Sequence, residues 1–105
     1  MIDESLALKT ISKIREMLEG LDGLPDMKFQ LKLFSFINFL EIFAQRDDAE
    51  RNSWKALQNA ASQWISKLRD TKVIELRDPK SLSGHHETQA AALELEVRIR
   101  TRSKP

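Results

Sequence analysis

Residues 27–46, MKFQLKLFSFINFLEIFAQR, limit the folds open to this chain more than any other stretch. All five phenylalanines of the protein lie here: Phe29, Phe34, Phe36, Phe39 and Phe43. Leu31, Leu33, Ile37, Leu40 and Ile42 fill most of the gaps between them. Wound as a helix, its polar residues Lys28, Lys32, Ser35, Asn38, Glu41 and Gln45 recur at spacings of three and four. They make one narrow stripe, and the remaining circumference is apolar. Such a helix has to be covered on several sides. It is too short, and too broken by polar residues, to span a membrane. The core must therefore form around residues 27–46.

At 105 residues the chain has the size of one domain. That is long enough to bury a single core without covalent staples. There is no cysteine, which excludes disulfides and thiolate metal sites. The first ten residues, MIDESLALKT, carry acids and no apolar run, so no signal peptide is expected and the predicted location is cytoplasmic. The net charge of +1 hides an asymmetry. Residues 1–50 hold six Lys/Arg and ten Asp/Glu, whereas residues 51–105 hold eleven Lys/Arg and six Asp/Glu. A basic half of this kind suits phosphate or an acidic protein surface.

Along the chain, Leu8, Ile11, Ile14, Leu18 and Leu21 recur at three and four, predicting a first helix over about 4–19. Gly20 suits the left-handed position after its end. The linker GLDGLPD breaks the chain, and Asp26 is a good cap for the second helix, over about 27–46. Asp47, Asp48 and Glu50 fit the first turn of a following helix, where acids meet the positive end of the helix dipole. Residues 50–69 have helical periodicity, with Trp54, Leu57, Ala61, Trp64 and Leu68 on one face. Periodicity allows either one helix or two short ones bent near residues 58–60. After Asp70 the period changes. KVIELR, residues 72–77, is short and β-branched and ends at Asp78-Pro79, which predicts a strand. LELEVRIRTR alternates strictly, with Leu93, Leu95, Val97 and Ile99 on one side, and predicts a second strand over 92–102. The expected fold is mainly α with a C-terminal antiparallel β-hairpin (α+β), three to four helices leading into a two-stranded hairpin.

The run SQWISKLRDTKVIELRDP, residues 62–79, resembles the end of a winged helix-turn-helix as found in MarR-like transcriptional regulators. The resemblance implies one winged-helix-like domain over residues 1–105 that binds duplex DNA as a homodimer. It makes Asn59, Ser62, Gln63, Ser66, Lys67 and Arg69 the exposed face of a recognition helix in the major groove. It makes Lys80, Arg98, Arg100 and Arg102 wing contacts to phosphate. It leaves the first helix, through Leu8, Ile11, Ile14 and Leu18, to form the dimer contact. Excess apolar surface on the first two helices of so short a chain also predicts a dimer.

A rival reading drops the nucleic acid and makes the chain a protein–protein interaction module, such as an adaptor, inhibitor or assembly subunit. Its apolar second helix would then be covered by a partner or by a second copy. An enzyme is not expected. The only material is His85-His86-Glu87, and no other His or Cys completes a zinc site. Both histidines are expected in a solvated loop, and no metal or cofactor is predicted. Trp54 and Trp64 lie ten residues apart on one helix face, which suits core packing better than the stacking of nucleobases.

Overall fold

A computed structural model of the chain describes residues 4–21, 25–45, 47–70 and 83–103. These residues form helices α1 (Glu4–Glu19), α2 (Met27–Ala44), α3 (Asp48–Asp70) and α4 (Ser83–Ser103). In chain order each helix packs on the next, and α4 returns to pack on α1. The result is a four-helix bundle in which α2 and α4 lie across from one another.

Each helix contributes one ridge to a single core. From α1 come Ala7, Ile11, Ile14 and Leu18, and from α2 come Leu33, Ile37, Leu40, Phe43 and Ala44. From α3 come Trp54, Leu57, Ala61, Trp64 and Ile65, and from α4 come Ala91, Ala92, Leu95 and Ile99. Apart from the adjacent pairs Phe43–Ala44, Trp64–Ile65 and Ala91–Ala92 the spacings are threes and fours, as burial of one helix face requires. Phe29 stands edge-on to the Trp64 ring at 6.4 Å, closing the core near the start of α2.

The ends are fixed by local chemistry. The Asp26 carboxylate accepts a hydrogen bond from the Phe29 N–H at 2.7 Å and caps α2. Gly20 donates its N–H to the Glu16 carbonyl at 2.9 Å and so extends the last turn of α1. Its φ is not in the left-handed region, so the conformation expected of it is not adopted. Between α2 and α3 the Asp47 carboxylate accepts from the Ala49 N–H at 3.2 Å. The Arg51 guanidinium bridges the same turn, donating to the Gln45 carbonyl at 3.0 Å and to Asp48 at 3.1 Å. Glu50 is buried in this first turn of α3, where the helix dipole favours a carboxylate.

One expectation is corrected and one open alternative is decided. First, the strand expected over 92–102 is part of α4, and the described residues contain no strand. The α+β fold with a C-terminal hairpin is therefore replaced by an all-helical bundle; residues 72–77, the other expected strand, lie outside the described residues. The alternation misleads because a helix turns about 100° per residue, so residues two apart point to opposite sides. Leu95 and Ile99 face the core, whereas Leu93 and Val97 face out. Second, α3 runs unbroken through residues 58–60 with no turn dividing it. Ala60 and Ala61 are strong helix formers. Fully buried, Ala61 serves close packing, with no bend.

The α3–α4 contact is the tightest in the bundle. A Cβ added to Gly84 would stand 2.7 Å from the Trp64 Cβ and 3.0 Å from its Cα. Only a residue without a side chain allows the two helices to approach this closely. Thr88, one turn further on, is fully buried and donates its hydroxyl to the Gly84 carbonyl at 2.7 Å.

Candidate functional site

α2 differs from its neighbours in what it leaves outside. Its buried ridge uses only part of its apolar circumference. On the opposite side Leu31 is 66% exposed, Ile42 69% and Met27 59%. At about 100° per residue, Met27, Leu31, Ser35, Asn38 and Ile42 fall within one sector of about 80°. Phe34 and Phe39 stand half-buried on either side of that sector, and Phe36 is half-buried as well. Of the five phenylalanines only Phe43 is buried. Within α2 the charged residues are Lys28, Lys32 and Glu41. The outward sector therefore contains two polar amides and hydroxyls, Asn38 and Ser35, and otherwise large apolar groups.

Beside the lysine flank of α2 runs a groove between the end of α1 and the start of α2. Met17, Gly20, Leu21, Phe29, Lys28 and Lys32 line it. Glu16 and Asp26 line it as well, so half of its lining is charged. On the far side of the bundle α4 has a shorter outward ridge, with Leu93 42% and Val97 50% exposed. Charged residues hem it closely. Arg98 pairs with Glu94 at 3.5 Å on one flank, and Arg100 approaches Glu96 at 3.9 Å on the other. Glu96 also receives Arg15 of α1 at 3.2 Å, so it ties α4 to α1.

The residues expected to contact DNA separate into two groups. Asn59, Ser62, Gln63, Ser66 and Lys67 all lie exposed on one side of α3. Arg98 and Arg100 do not share a face. They are two residues apart on a helix, point to opposite flanks of α4, and each faces a carboxylate. Lys80, and the side chains of Arg69 and Arg102, lie outside the described part of the structure. Of the residues expected at a dimer contact, Ile11, Ile14 and Leu18 are fully buried in the core of their own chain, and Leu8 is half-buried beside it.

The histidine pair is not in a loop. His85 and His86 occupy the first turn of α4. His85 is buried, and its Nε2 donates to the Leu18 carbonyl at 2.8 Å. Because a carbonyl only accepts, that nitrogen carries the proton. The ring also stands edge-on to Trp64 at 5.5 Å. His85 thus clamps the start of α4 onto the end of α1, a role that its loop-like sequence context did not signal. His86 faces out. Among the described residues no three His, Asp or Glu side chains are grouped to hold a metal ion.

Both tryptophans are core residues. Trp54 donates its indole N–H to the Ile37 carbonyl at 2.7 Å, joining α3 to α2, and Trp64 is buried toward the end of the bundle where α2 and α4 begin. Neither presents a face for base stacking. No described helix is long and apolar enough to cross a membrane. Compared with known proteins, the chain matches no family model, no curated protein and no solved structure.

Proposed function

We propose that this chain is a protein–protein interaction module whose docking surface is the outer face of α2. The observation that carries the proposal is the exposure of Leu31 and Ile42, 66% and 69%, on the most apolar helix of the bundle. Scattered surface leucines are ordinary, but several large exposed apolar groups aligned along one helix face mark a surface that another molecule covers. A helix-length apolar ridge suits a partner helix, which recognises anchors at spacings of three and four.

This reading is preferred to duplex DNA binding, the function implied by the resemblance to winged-helix regulators. Phosphate contact needs several cations on one surface. On α4 the described arginines lie on opposite flanks, each beside a carboxylate. The exposed side of α3 is uncharged apart from Lys55 and Lys67 over residues 52–67.

The test compares three tagged proteins, captured gently from the cells in which the chain naturally occurs: wild type, Leu31→Glu, and the double variant Gln63→Ala/Lys67→Ala. The expected result is a stoichiometric protein, another chain or a second copy, held by wild type and the α3 variant and lost from Leu31→Glu. Retardation of duplex DNA at low salt that disappears in the α3 variant and persists in Leu31→Glu would overturn the proposal in favour of DNA binding.

A further inference from the structure

We infer that the occupant of the α2 face is a second copy of this chain, with the two α2 helices packed antiparallel about a two-fold axis at the level of Phe36 and Ile37. This rests on the reading of that face as a docking surface and adds the identity and geometry of the partner.

The first support is self-complementarity. A two-fold interface requires one patch to match itself under rotation. Reversing α2 about the midpoint of residues 36 and 37 sets Leu31 opposite the partner's Ile42 and Ser35 opposite the partner's Asn38. Apolar meets apolar, with Leu31 and Ile42 the two most exposed large apolar residues among those described. Hydroxyl meets amide, so each buried polar group gains a hydrogen-bonding partner across the seam. Both pairs lie within the same outward sector, so they meet without rotation of either helix.

The second support is charge. The N-terminal half of α2 carries Lys28 and Lys32, and its C-terminal half carries Glu41. Antiparallel packing sets each basic half at the level of the acidic half of the other copy, on the opposite flank of the seam, and it opposes the two helix dipoles. Parallel packing would set basic half beside basic half. A single polar pair inside an otherwise apolar seam is also a known device for fixing helix register and partner number. The ridge of α4 offers no comparable seam, because the charged pairs of Glu94, Glu96, Arg98 and Arg100 flank Leu93 and Val97 on both sides.

Size sets the strength. α2 has 18 residues, and its length is about 27 Å. A standard interface takes roughly 800 Å² from each partner, and the whole chain exposes 6666 Å². One seam of this length falls at or below the low end, so the dimer should be weak and reversible.

Sedimentation velocity over a concentration series tests the dimer, and disulfide trapping tests its geometry. Wild type should pass from monomer to dimer as concentration rises. Leu31→Glu and Ile42→Glu should weaken association at least tenfold while keeping the wild-type circular dichroism spectrum, since both positions face outward. The chain has no cysteine, so introduced thiols report only themselves. Ser35→Cys should form a disulfide dimer, because in this register the two sulfur-bearing positions are offset by about 4.5 Å along the axis. Met27→Cys should not, being offset by about 28 Å. A mixture of Leu31→Cys and Ile42→Cys should cross-link to each other in preference to themselves.

A wild type that stays monomeric throughout, or a dimer indifferent to both glutamates, overturns the inference. Met27→Cys cross-linking as readily as Ser35→Cys overturns the antiparallel geometry. A monomeric wild type that still loses a captured protein on Leu31→Glu would sink the dimer and leave the docking surface standing, with another chain as its occupant.

Discussion

α2 and α3 are neighbours in the bundle, and they treat their outer faces in opposite ways. α3 turns its large apolar residues Trp54, Leu57, Trp64 and Ile65 inward, and over residues 59–67 its outer side holds Asn59, Ser62, Gln63, Ser66 and Lys67. α2 also fills its share of the core, with Leu33, Ile37, Leu40 and Phe43. Yet it keeps Met27, Leu31 and Ile42 in solvent and four phenylalanines half-covered. Both helices face the same bundle and meet the same folding requirement. The apolar groups that α3 does without on its outside are therefore not required by the fold on α2. On the proposed reading, their use is to contact a partner beyond the monomer.

The comparison is tested first where the two helices are alike. Leu40→Ala on α2 and Trp64→Ala on α3 should each lower stability by about 3–5 kcal/mol in denaturant melts, because each empties a fully buried site. Phe36→Ala on α2 should cost only about 1 kcal/mol, since the ring is half-covered in the monomer. A loss at Phe36 equal to that at Leu40 would mean that the flank of α2 beside Phe43 is as deeply packed as its buried ridge. Next in size is Gly84→Ala, which should cost about 1–3 kcal/mol by forcing apart α3 and α4 at Trp64. A neutral Gly84→Ala would show that the helices separate at that point without loss, and the inward packing of α3 would then be looser than that of α2. At the joint between the compared helices, Asp47→Ala should cost about 1 kcal/mol through the lost cap on α3. No change there would assign the turn to Arg51 alone.

The parts of this fold that were legible in the sequence are those where periodicity had one interpretation. Ile11, Ile14 and Leu18 stand at helical spacing with nothing competing, and the structure buries all three. Asp26 announces the start of α2 by its own chemistry. α4 was misread because LELEVRIR satisfies two periods at once. Leu95 and Ile99 are four apart and Leu93 and Val97 are four apart, so a helix splits the alternating set into an inner and an outer pair. A signal that decides between the periods was present. Glu94 and Arg98, and Glu96 and Arg100, stand at i and i+4 with the acid first, the order that supports a helix. The preceding TQAAA adds helical propensity without a break. The outer face of α2 was only half legible. Its apolar excess is plain in the sequence, but which side remains open depends on which helices cover it. That became visible only once α4 proved to pack across the bundle from α2. The clamp at His85 was not legible, since it joins residues 67 apart in the chain.

The smallest expected effect is the most informative about α2. Leu31→Gln replaces an exposed apolar group by a polar one of similar length. In dilute solution, where each chain is alone, its stability should stay within about 0.5 kcal/mol of wild type, as for an ordinary surface change. Association stabilises the folded state by mass action, so the wild-type melting temperature should rise with protein concentration. That of Leu31→Gln should not. Ser66→Ala, placed on the exposed side of α3, should follow wild type at every concentration. If Leu31→Gln instead lost more than about 1.5 kcal/mol in dilute solution, a change of that size would require a packing role for Leu31 inside the monomer. The outer faces of α2 and α3 would then differ in how they hold the fold together, and the contrast between them would carry no information about a partner.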